Sequence, residues 1–455
     1  MMVNDMKNNI YRILMTVACV TLMFACVPSS YIDVDIPRPG QTSPRTEGVR
    51  SENHEVRNVL LLYSAGFNSL SDYLTEDMED LMSGELPGSA RMDDVLLIYS
   101  HLPSRKGTYS RPTSPVLIRV YKDINDAVVR DTLVVYPSGT ISSDASQLNK
   151  VLSYVRDNYP AKTYGMIFSS HATGYLPTGF YTNPKGYVYT PSMAMSVLGS
   201  GVNAPRGVPY VAPEYDPSLP MVKSVGQDQV GAYGSYLSYE IQIEEFAQAL
   251  PMYMDYILFD ACLMGGVEVA YELAGKVGLV GFSQTEVLAE GFDYKTLTSH
   301  LLYGGEPDPV AVCMDYYRQY DVQVGIMRSA TISVVDCSRM EPLVQVCSDI
   351  FRNDREAIGS LKPSLVQRYY RSDCHWFYDL VDIVVKAGVD QEKVKALNEA
   401  IDNCMVYKAA TPEFMGSFEI TTYSGFSMYL PAHGKEELDK YYRTLKWNIA
   451  TGLIE

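Results

Sequence analysis

Short, continuous apolar runs followed by stretches with helical spacing recur along the chain from about residue 57 onward. Four of these runs lie at residues 58–66, 93–102, 164–168 and 256–259. Apolar runs without alternation are typical of strands that are buried on both faces, as in parallel sheets covered by helices. The pattern therefore predicts an α/β fold with a mostly parallel central sheet flanked by helices on both faces.

Further elements extend this predicted sheet. Residues 116–122 and 131–137 are separated by a turn-forming run, so they predict an edge hairpin. Asp144 precedes a helical pattern and is the expected N-cap of that helix. Later patterns predict three strands, at 278–284, 331–337 and 424–431, and four helices, at 294–303, 309–320, 340–352 and 391–403.

Cys262 follows the apolar run at 256–259 and precedes a helical pattern that opens with Gly265 and Gly266. A buried strand that feeds a helix would place this cysteine at the carboxyl end of the strand and at the helix N-terminus. A helix dipole lowers the pKa of a thiol in that position, which favours the nucleophilic thiolate. Cys262 is thus a candidate nucleophile, and the alternative is an inert cysteine of the core.

His171 closes the apolar run at 164–168 in the same way. If the two runs form neighbouring parallel strands, their ends present an imidazole and a thiol to one crevice. A cysteine peptidase needs this combination, because the imidazole moves the protons that the nucleophile and the leaving group exchange.

The segments YGMIFSSHATGY and FDACLMGGVEVAYEL resemble the clostripain-like cysteine peptidases, whose fold is caspase-like. The resemblance covers the chain from about Arg57 onward, although Ala172 and Tyr175 replace the Gly and Trp that the family usually has after the histidine. It implies a Cys262–His171 dyad. Backbone N–H groups near Ala172 and Cys262 would then stabilise the oxyanion.

The resemblance also implies cleavage after arginine or lysine. A carboxylate near the nucleophile would bind such a P1 side chain through charge-assisted hydrogen bonds. Three acidic residues are candidates for this role: Asp260, Glu290 and Glu286.

Residues 175–238 form a long insert, rich in Gly, Pro, Tyr and Ser, between the two candidate catalytic residues. Loops of this length inside a compact domain are usually functional or disordered. The insert contains three basic residues at which an enzyme of this specificity could cut itself: Arg206, Lys223 and Lys185. Self-processing there is the expectation, and a lid that is never cut is the alternative.

The N-terminal region predicts export. Residues 1–26 have the basic start and short apolar stretch of a signal peptide, and residues 22–26 resemble a lipobox that would lipidate Cys26. The protein would then be anchored to the bacterial cell envelope, or secreted if the signal is cut elsewhere. Residues 27–56 predict a flexible tether, 57–355 the catalytic domain, and 356–455 a C-terminal helical subdomain that completes the fold.

Composition adds limits on partners. The formal net charge of −17 and the lack of clustered Lys and Arg argue against nucleic-acid binding, whereas an acidic surface suits protein or peptide substrates with basic residues. The cysteine spacing gives no zinc signature and no disulfide framework. We expect no cofactor; calcium modulation, which the resemblance suggests, has no loop motif here.

Two other functions remain compatible with the sequence. One is a surface binding protein that keeps the caspase-like fold but is catalytically impaired. The other is an acyl transferase or ligase that passes the same thioester to an amine instead of to water.

Overall fold

The computed structural model describes residues 56–88, 93–189, 207–209, 218–222, 228–232, 235–303, 305–372 and 376–455. The predictions for the signal peptide, for Cys26 and for nearly all of the tether lie outside these residues, as do Arg206 and Lys223. Residues 54–455 form one compact unit.

The centre of this unit is a nine-stranded sheet with the strand order β13-β11-β10-β9-β5-β1-β2-β3-β4. Its strands are β1 (Val56–Ala65), β2 (Asp94–His101), β3 (Val116–Lys122), β4 (Val128–Val135), β5 (Ala161–Ser169), β9 (Met254–Asp260), β10 (Val277–Phe282), β11 (Thr331–Asp336) and β13 (Met405–Ala410).

Five neighbouring strands at the centre of the sheet, β10, β9, β5, β1 and β2, are parallel. The outer strands β11 and β13 on one side, and β3 and β4 on the other, are antiparallel. The α/β class and the parallel centre are therefore confirmed, but the whole sheet is mixed. Burial accounts for the contrast between the parallel centre and the antiparallel edges of the sheet. Strand β2 in the centre is buried almost throughout, whereas the edge strand β4 is exposed at alternate residues.

Twelve α-helices surround the sheet in the described part of the chain. They are α1 (Ser71–Ser83), α2 (Ala145–Asn158), α3 (Ile243–Ala249), α4 (Val267–Leu273), α5 (Tyr294–Leu301), α6 (Pro309–Asp321), α7 (Glu341–Asn353), α8 (Arg355–Gly359), α9 (Leu380–Lys386), α10 (Gln391–Cys404), α11 (Glu436–Tyr442) and α12 (Lys446–Thr451). None of these helices has the length and apolar character that crossing a bilayer requires.

The helices form two groups, as expected for a sheet covered on both faces. Helices α1, α5 and α6 pack together, while α2, α3, α4, α12, α7 and α10 form a second connected group. Right-handed crossovers put the groups on opposite faces, because the chain moves from β1 to β2 in one direction and from β5 through β9 to β10 in the other. The carboxylate of Asp144 caps α2 by accepting the Gln147 N–H at 3.0 Å, as predicted.

The insert contains more regular structure than its composition indicates. Tyr175 and Phe180 at its start are fully buried, and the Tyr175 hydroxyl donates to the carbonyl of Trp376 at 2.7 Å. Its later part forms a small sheet of β6 (Val208–Pro209), β7 (Asp228–Ala232) and β8 (Ser235–Tyr239). The described portions of the insert are therefore packed against the rest of the fold at both ends.

A buried polar cluster attaches the returning end of the insert to the core. Asp228 accepts the backbone N–H of Ser142 and lies 3.6 Å from Nδ1 of His101. The Ser142 hydroxyl is 2.7 Å from the same ring nitrogen. Because all three residues are buried, breaking this cluster would leave polar groups without water, so it holds β7 firmly.

The C-terminal third adds a strand that the sequence does not predict. Strand β13 pairs with β11 and forms one edge of the central sheet. The segment at 424–431, predicted as a strand, forms only β16 (Ser427–Met428), which pairs with β12 (Tyr378–Asp379). Residues 413–419 contain one further short hairpin, β14 (Glu413–Phe414) with β15 (Phe418–Glu419).

Two glutamates, the buried Glu268 and the partly buried Glu244, fasten the last helices to the rest of the fold. Glu268 in α4 accepts the Tyr442 hydroxyl at 2.7 Å and the Tyr429 N–H at 2.8 Å, and Glu244 in α3 accepts the Tyr441 hydroxyl at 2.7 Å. Burial raises the pKa of both carboxyl groups to about 7, against the opposing effect of these hydrogen bonds.

These pKa values predict that the protein loses stability as the pH rises through neutrality. The folded pKa of about 7 exceeds the ordinary glutamate value of 4.5. The contribution of each carboxyl group to the free energy of unfolding is therefore complete below pH 4.5 and is lost as the pH rises through 7. Each group accounts for up to about 3 kcal/mol. Glu268→Gln keeps an acceptor for both donors but cannot ionise, so urea unfolding between about pH 5 and pH 8 should show a weaker pH dependence. The surface variant Glu306→Gln is the control; an unchanged slope in Glu268→Gln would contradict the assignment.

Candidate active site

The register of β5 against β9 places the two candidate catalytic residues at one edge of the sheet. The strands are parallel, and Ser169 is paired with Asp260. His171 and Cys262 each follow this pair by two residues, so both lie just beyond the carboxyl ends of neighbouring strands. The sequence prediction of adjacent parallel strands ending in His and Cys is confirmed at the level of the strands.

The loops that follow these strands pack against each other. Gly174, three residues after His171, has a φ of +63°. A Cβ at this position would lie only 2.4 Å from the carbonyl oxygen of Leu263, the residue after Cys262. Glycine is required for both reasons, and the contact joins the histidine loop to the cysteine loop.

The imidazole of His171 is almost completely buried. Its Nε2 lies 3.2 Å from the hydroxyl of Ser69, which belongs to the turn after β1. Together with Gly174 and with Met264 of the cysteine loop, it lines a cavity of about 40 Å³. A cavity of this size holds only a few water molecules, so no peptide fits inside it.

The side chain of Cys262 has no solvent-accessible surface. Its Sγ accepts the backbone N–H of Val287 at 3.0 Å, and the Val287 carbonyl lies 3.7 Å from the same sulfur. The loop that follows β10 therefore covers the thiol directly.

Backbone hydrogen bonds fix this loop against the cysteine loop. The N–H of Leu263 donates to the carbonyl of Thr285 at 2.9 Å, and that of Gly265 donates to Ser283 at 2.7 Å. Leu263 itself has a φ of +61°, which is unusual for a residue with a branched side chain. Strained backbone next to a candidate nucleophile is common at functional sites.

The predicted position of Cys262 at a helix N-terminus is wrong. Helix α4 begins at Val267, four residues later than the adjacent position would require. Gly265 instead continues the pairing with the β10 loop, where a Cβ would come within 2.4 Å of the Gln284 side chain. Residues 263–265, between β9 and α4, thus form contacts with the loop that follows β10, and the helix begins only after them.

The three acidic candidates occupy different environments. Asp260 is buried, and one of its oxygens accepts the hydroxyls of Tyr294 at 2.7 Å and Ser169 at 3.0 Å, which ties β9 to α5 and β5. Glu290 is exposed on the surface. Glu286 is buried and pairs with Arg371, whose Nε lies 3.0 Å from Oε2 and 3.2 Å from Oε1.

A short segment of the insert lies on the loop that covers Cys262. Val222 forms an antiparallel bridge with Leu288, and the N–H of Ala289 donates to the carbonyl of Met221 at 2.9 Å. The covering loop is thus held between the cysteine loop and residues 221–222 of the insert.

Of the three candidate processing sites, one lies within the described residues and two lie outside them. Lys185 is exposed in a turn near the start of the insert. Lys223 directly follows the segment that pairs with Leu288 but lies outside the described residues, as does Arg206.

The remaining described cysteines belong to the core. Cys313, Cys337, Cys347 and Cys404 are buried, and burial raises the pKa of their thiols, to about 12 for Cys404. These thiols are inert in the way predicted for small core residues. No group of three potential metal ligands occurs within the described ranges of the chain.

Sequence reasoning missed four residues that surround the dyad candidates. They are Ser69, Tyr181, Val287 and Arg371, which reach the site from separate parts of the chain. Val287 alone carried a signal, because it directly follows Glu286, one of the acidic candidates. No periodicity connects the other three with His171 or Cys262.

Comparison with known proteins gives one family. The sequence profile of the clostripain family matches residues 62–193 and 213–451, which is most of the chain. No curated protein matches.

Solved structures with the same fold are also found. One is described as an inactive zymogen C11 protease from Parabacteroides distasonis; it is 23% identical over 88% of this chain and 99% of its own, with a TM-score of 0.67. A secreted C11 cysteine protease from Bacteroides thetaiotaomicron is 22% identical over 87% and 99%, with a TM-score of 0.65. A structure of a secreted C11 cysteine protease from that organism in complex with an irreversible peptide inhibitor is 22% identical over 87% of this chain and 99% of its own, with a TM-score of 0.64. At these identities the likeness establishes the shared fold, which is caspase-like.

The contact between the two loops predicts the effect of a single methyl group. Gly174→Ala adds both a disfavoured φ and a clash with Leu263, so it should lower the unfolding free energy by about 2–4 kcal/mol. Gly107→Ala is the matched control, because Gly107 also has a positive φ but nothing lies within 4 Å of its Cβ position. It should cost only about 1–2 kcal/mol. Equal losses in urea denaturation would mean that the loops are not in tight contact.

Proposed function

Because this chain belongs to the clostripain family of cysteine peptidases, we propose that it is an exported endopeptidase that cleaves after a basic residue through a Cys262–His171 dyad. The observation that carries the proposal is the packing of Gly174 against Leu263, which joins the loop of the histidine to the loop of the cysteine. The paired ends of β5 and β9 support the same assignment.

In this mechanism His171 takes the proton of the Cys262 thiol, and the thiolate attacks the carbonyl carbon of the scissile bond. The new C–S bond turns the carbonyl oxygen into an oxyanion, which backbone N–H groups near Ala172 and Cys262 stabilise. The imidazolium then protonates the leaving amine as the C–N bond breaks. Water attacks the thioester with His171 as base, which releases the carboxylic acid and restores the thiol.

Ser69 is a positioning residue in this scheme. Its hydroxyl is within hydrogen-bond distance of Nε2 of His171 and comes from a turn in which Phe67 and Leu70 are buried. A partner of this kind fixes the orientation of an imidazole and the nitrogen that carries its proton.

The basic P1 preference is supported by the acidic residues near the nucleophile: Asp260, Glu286 and Glu290. A carboxylate beside the scissile bond would attract a guanidinium or ammonium group and discriminate against neutral side chains.

The closed site supports self-processing. Cys262 has no exposed surface, so a substrate cannot reach the thiol until the covering loop moves. Residues 221–222 hold that loop through Leu288 and Ala289, and a cut after Lys223 would free one end of the segment that holds it. The similar protein from P. distasonis is described as an inactive zymogen. Arg206 and Lys185 are the other proposed sites.

Export and anchoring are supported by the N-terminal sequence, with Cys26 as the proposed lipid-bearing residue. A similar protease from B. thetaiotaomicron is described as secreted. Metabolic labelling with an alkyne fatty acid, lost in Cys26→Ser, would support the anchored form over the secreted one.

The dyad predicts a pattern of mutant rates. Cys262→Ala and His171→Ala should each remove nearly all cleavage of peptides with arginine at P1, and the double variant should be little worse, because the two groups act in one step. Cys313→Ala, which alters another buried cysteine, is the control for folding and should keep its activity. Substantial cleavage by either single variant would disprove the dyad. Adding an amine nucleophile and analysing the products separates hydrolysis from acyl transfer.

Self-processing predicts a fragment pattern. Purified wild-type protein should contain two fragments that stay associated after a cut behind Lys185, Arg206 or Lys223, whereas Cys262→Ala should remain intact, because the cut needs the thiol. Mass spectrometry identifies the new termini, and Lys223→Gln tests the preferred site. A wild-type protein that is fully active as one chain, or a Cys262→Ala protein cut equally well in pure form, would rule self-processing out.

A further inference from the structure

Strand β7, where the insert returns to the core, begins with a buried aspartate. The side chain of Asp228 has no solvent-exposed surface. Its Oδ2 accepts the N–H groups of Ser142 and Ser143, the latter at 3.4 Å, and lies 3.6 Å from Nδ1 of His101. These contacts reach two separate parts of the core, because His101 ends β2 and Ser142 precedes α2. Loss of the carboxylate would leave buried donors unpaired, so Asp228 fixes the position of β7.

The cluster contains a serine, a histidine and an aspartate, but it does not form a second hydrolytic site. In a catalytic triad the serine and the aspartate contact opposite nitrogens of the imidazole. Here the Ser142 hydroxyl lies 2.7 Å from Nδ1 of His101, which is also the nitrogen that faces Asp228. All three residues are buried, away from any substrate. The cluster therefore acts on the structure around it.

Strand β7 is hydrogen-bonded to the turn that follows β1. The N–H of Gln229 donates to the carbonyl of Phe67 at 2.9 Å. The Phe67 ring stacks on the His101 ring, with the centroids 4.7 Å apart. Phe67 thus contacts both the residue after Asp228 and the histidine that Asp228 faces. Removing the Asp228 carboxylate would loosen both of these contacts.

The same turn, residues 66–70, supports the candidate catalytic histidine, and we call it the Ser69 turn. The hydroxyl of Ser69 lies 3.2 Å from Nε2 of His171. The side chain of Asn68 closes the turn with two hydrogen bonds of 2.9 Å to the backbone. Because a turn closed in this way moves as a unit, a shift of Phe67 is passed to Ser69, two residues later.

The proposed self-processing would place this contact between two fragments. All three proposed cut sites precede β7 in the sequence, so after any of these cuts Asp228 belongs to the same fragment as Cys262. Ser69 and His171 belong to the other fragment. The fragment with the cysteine would therefore supply the strand that supports the turn beside the histidine.

We propose that Asp228 is a positioning residue of the peptidase: it holds β7 against the Ser69 turn, and this turn holds the imidazole of His171. The proposal rests on the proposed Cys262–His171 dyad and adds a residue of the insert to its support. The insert then has two functional parts. Residues 221–222 hold the loop over Cys262 and must release it for substrate to reach the sulfur, whereas β7 must stay in place to orient the histidine.

A kinetic experiment uses a peptide with arginine at P1 and rates per titrated active site, so that loss of folded protein is not counted. Asp228→Ala should lower kcat by about tenfold or more and change KM by less than about threefold, because a displaced imidazole slows the proton transfers. Asp228→Asn keeps an acceptor for Ser142 and should recover part of the loss. Asp94→Asn is the matched control, since Asp94 is also largely buried and pairs with Arg57 at the other end of β2. It should leave kcat unchanged.

A double-mutant cycle separates positioning from general loosening of the fold. Ser69→Ala should lower kcat in the same way as Asp228→Ala. The double variant should be little slower than Ser69→Ala alone, because Asp228 acts through Ser69. Asp94→Asn should be independent of Ser69→Ala.

A spectroscopic experiment needs no activity. In the full Cys262→Ala chain labelled with ¹³C-histidine, the ring resonances of His171 are identified by their loss in His171→Gln. Ser69→Ala and Asp228→Ala should shift these resonances in the same direction, because both release the imidazole from the Ser69 hydroxyl. Asp94→Asn should not move them.

Three results would overturn the proposal: an unchanged kcat per active site in Asp228→Ala, losses that multiply in the double variant, or His171 resonances that respond to Ser69→Ala but not to Asp228→Ala. Asp228→Asn answers the same questions if Asp228→Ala does not fold. If the wild-type protein cleaves no peptide, the proposed function fails, while the resonance measurement still decides whether Asp228 acts on His171.

Discussion

The parallel pairing of β5 with β9 is the constraint on which the candidate site depends. With Ser169 opposite Asp260, the two chains leave the sheet side by side, and their next residues have little freedom to separate. A shift of one residue in this register would turn His171 or Cys262 to the other face of the sheet. The register is fixed by the continuous burial of Ile167, Leu258 and their neighbours, so the hydrophobic core determines where the chemistry is located.

The same packing that positions Cys262 also closes the site. The loop after β10 satisfies its backbone donors by bonding to the cysteine loop, the sulfur and the insert, so the state without substrate is stable but inaccessible. Access to the sulfur requires part of this network to open, and residues 221–222 of the insert belong to it. The pairing of Glu286 with Arg371 follows the same logic, because it keeps a buried charge neutralised.

Local patterns predicted the strands and most of the helices well, since continuous apolar runs and caps such as Asp144 act within a few residues. They also singled out His171 and Cys262 as candidates, because both follow buried strands. Gly265 and Gly266 correctly mark the start of α4, since Gly266 is its N-cap, but the sequence did not show that the contact of Gly265 with Gln284 keeps Cys262 away from that helix. Strand β13 has no buried residue, so it lacks the continuous apolar run that marked the central strands. Arg371 is 85 residues from Glu286, and only the tertiary fold brings them together.

The accessibility of the Cys262 thiol tests the central claim, which is that the covering loop keeps the nucleophile closed until the insert is cut. The measurement is the rate of iodoacetamide alkylation of Cys262, followed by mass spectrometry in a His171→Ala chain before and after active enzyme cuts it in trans. The account predicts alkylation of the intact chain about a hundredfold slower than of a free thiol, as for a loop that opens at a cost of roughly 3 kcal/mol, and a clear acceleration after the cut. Equal, fast alkylation of the intact and cut chains would contradict it.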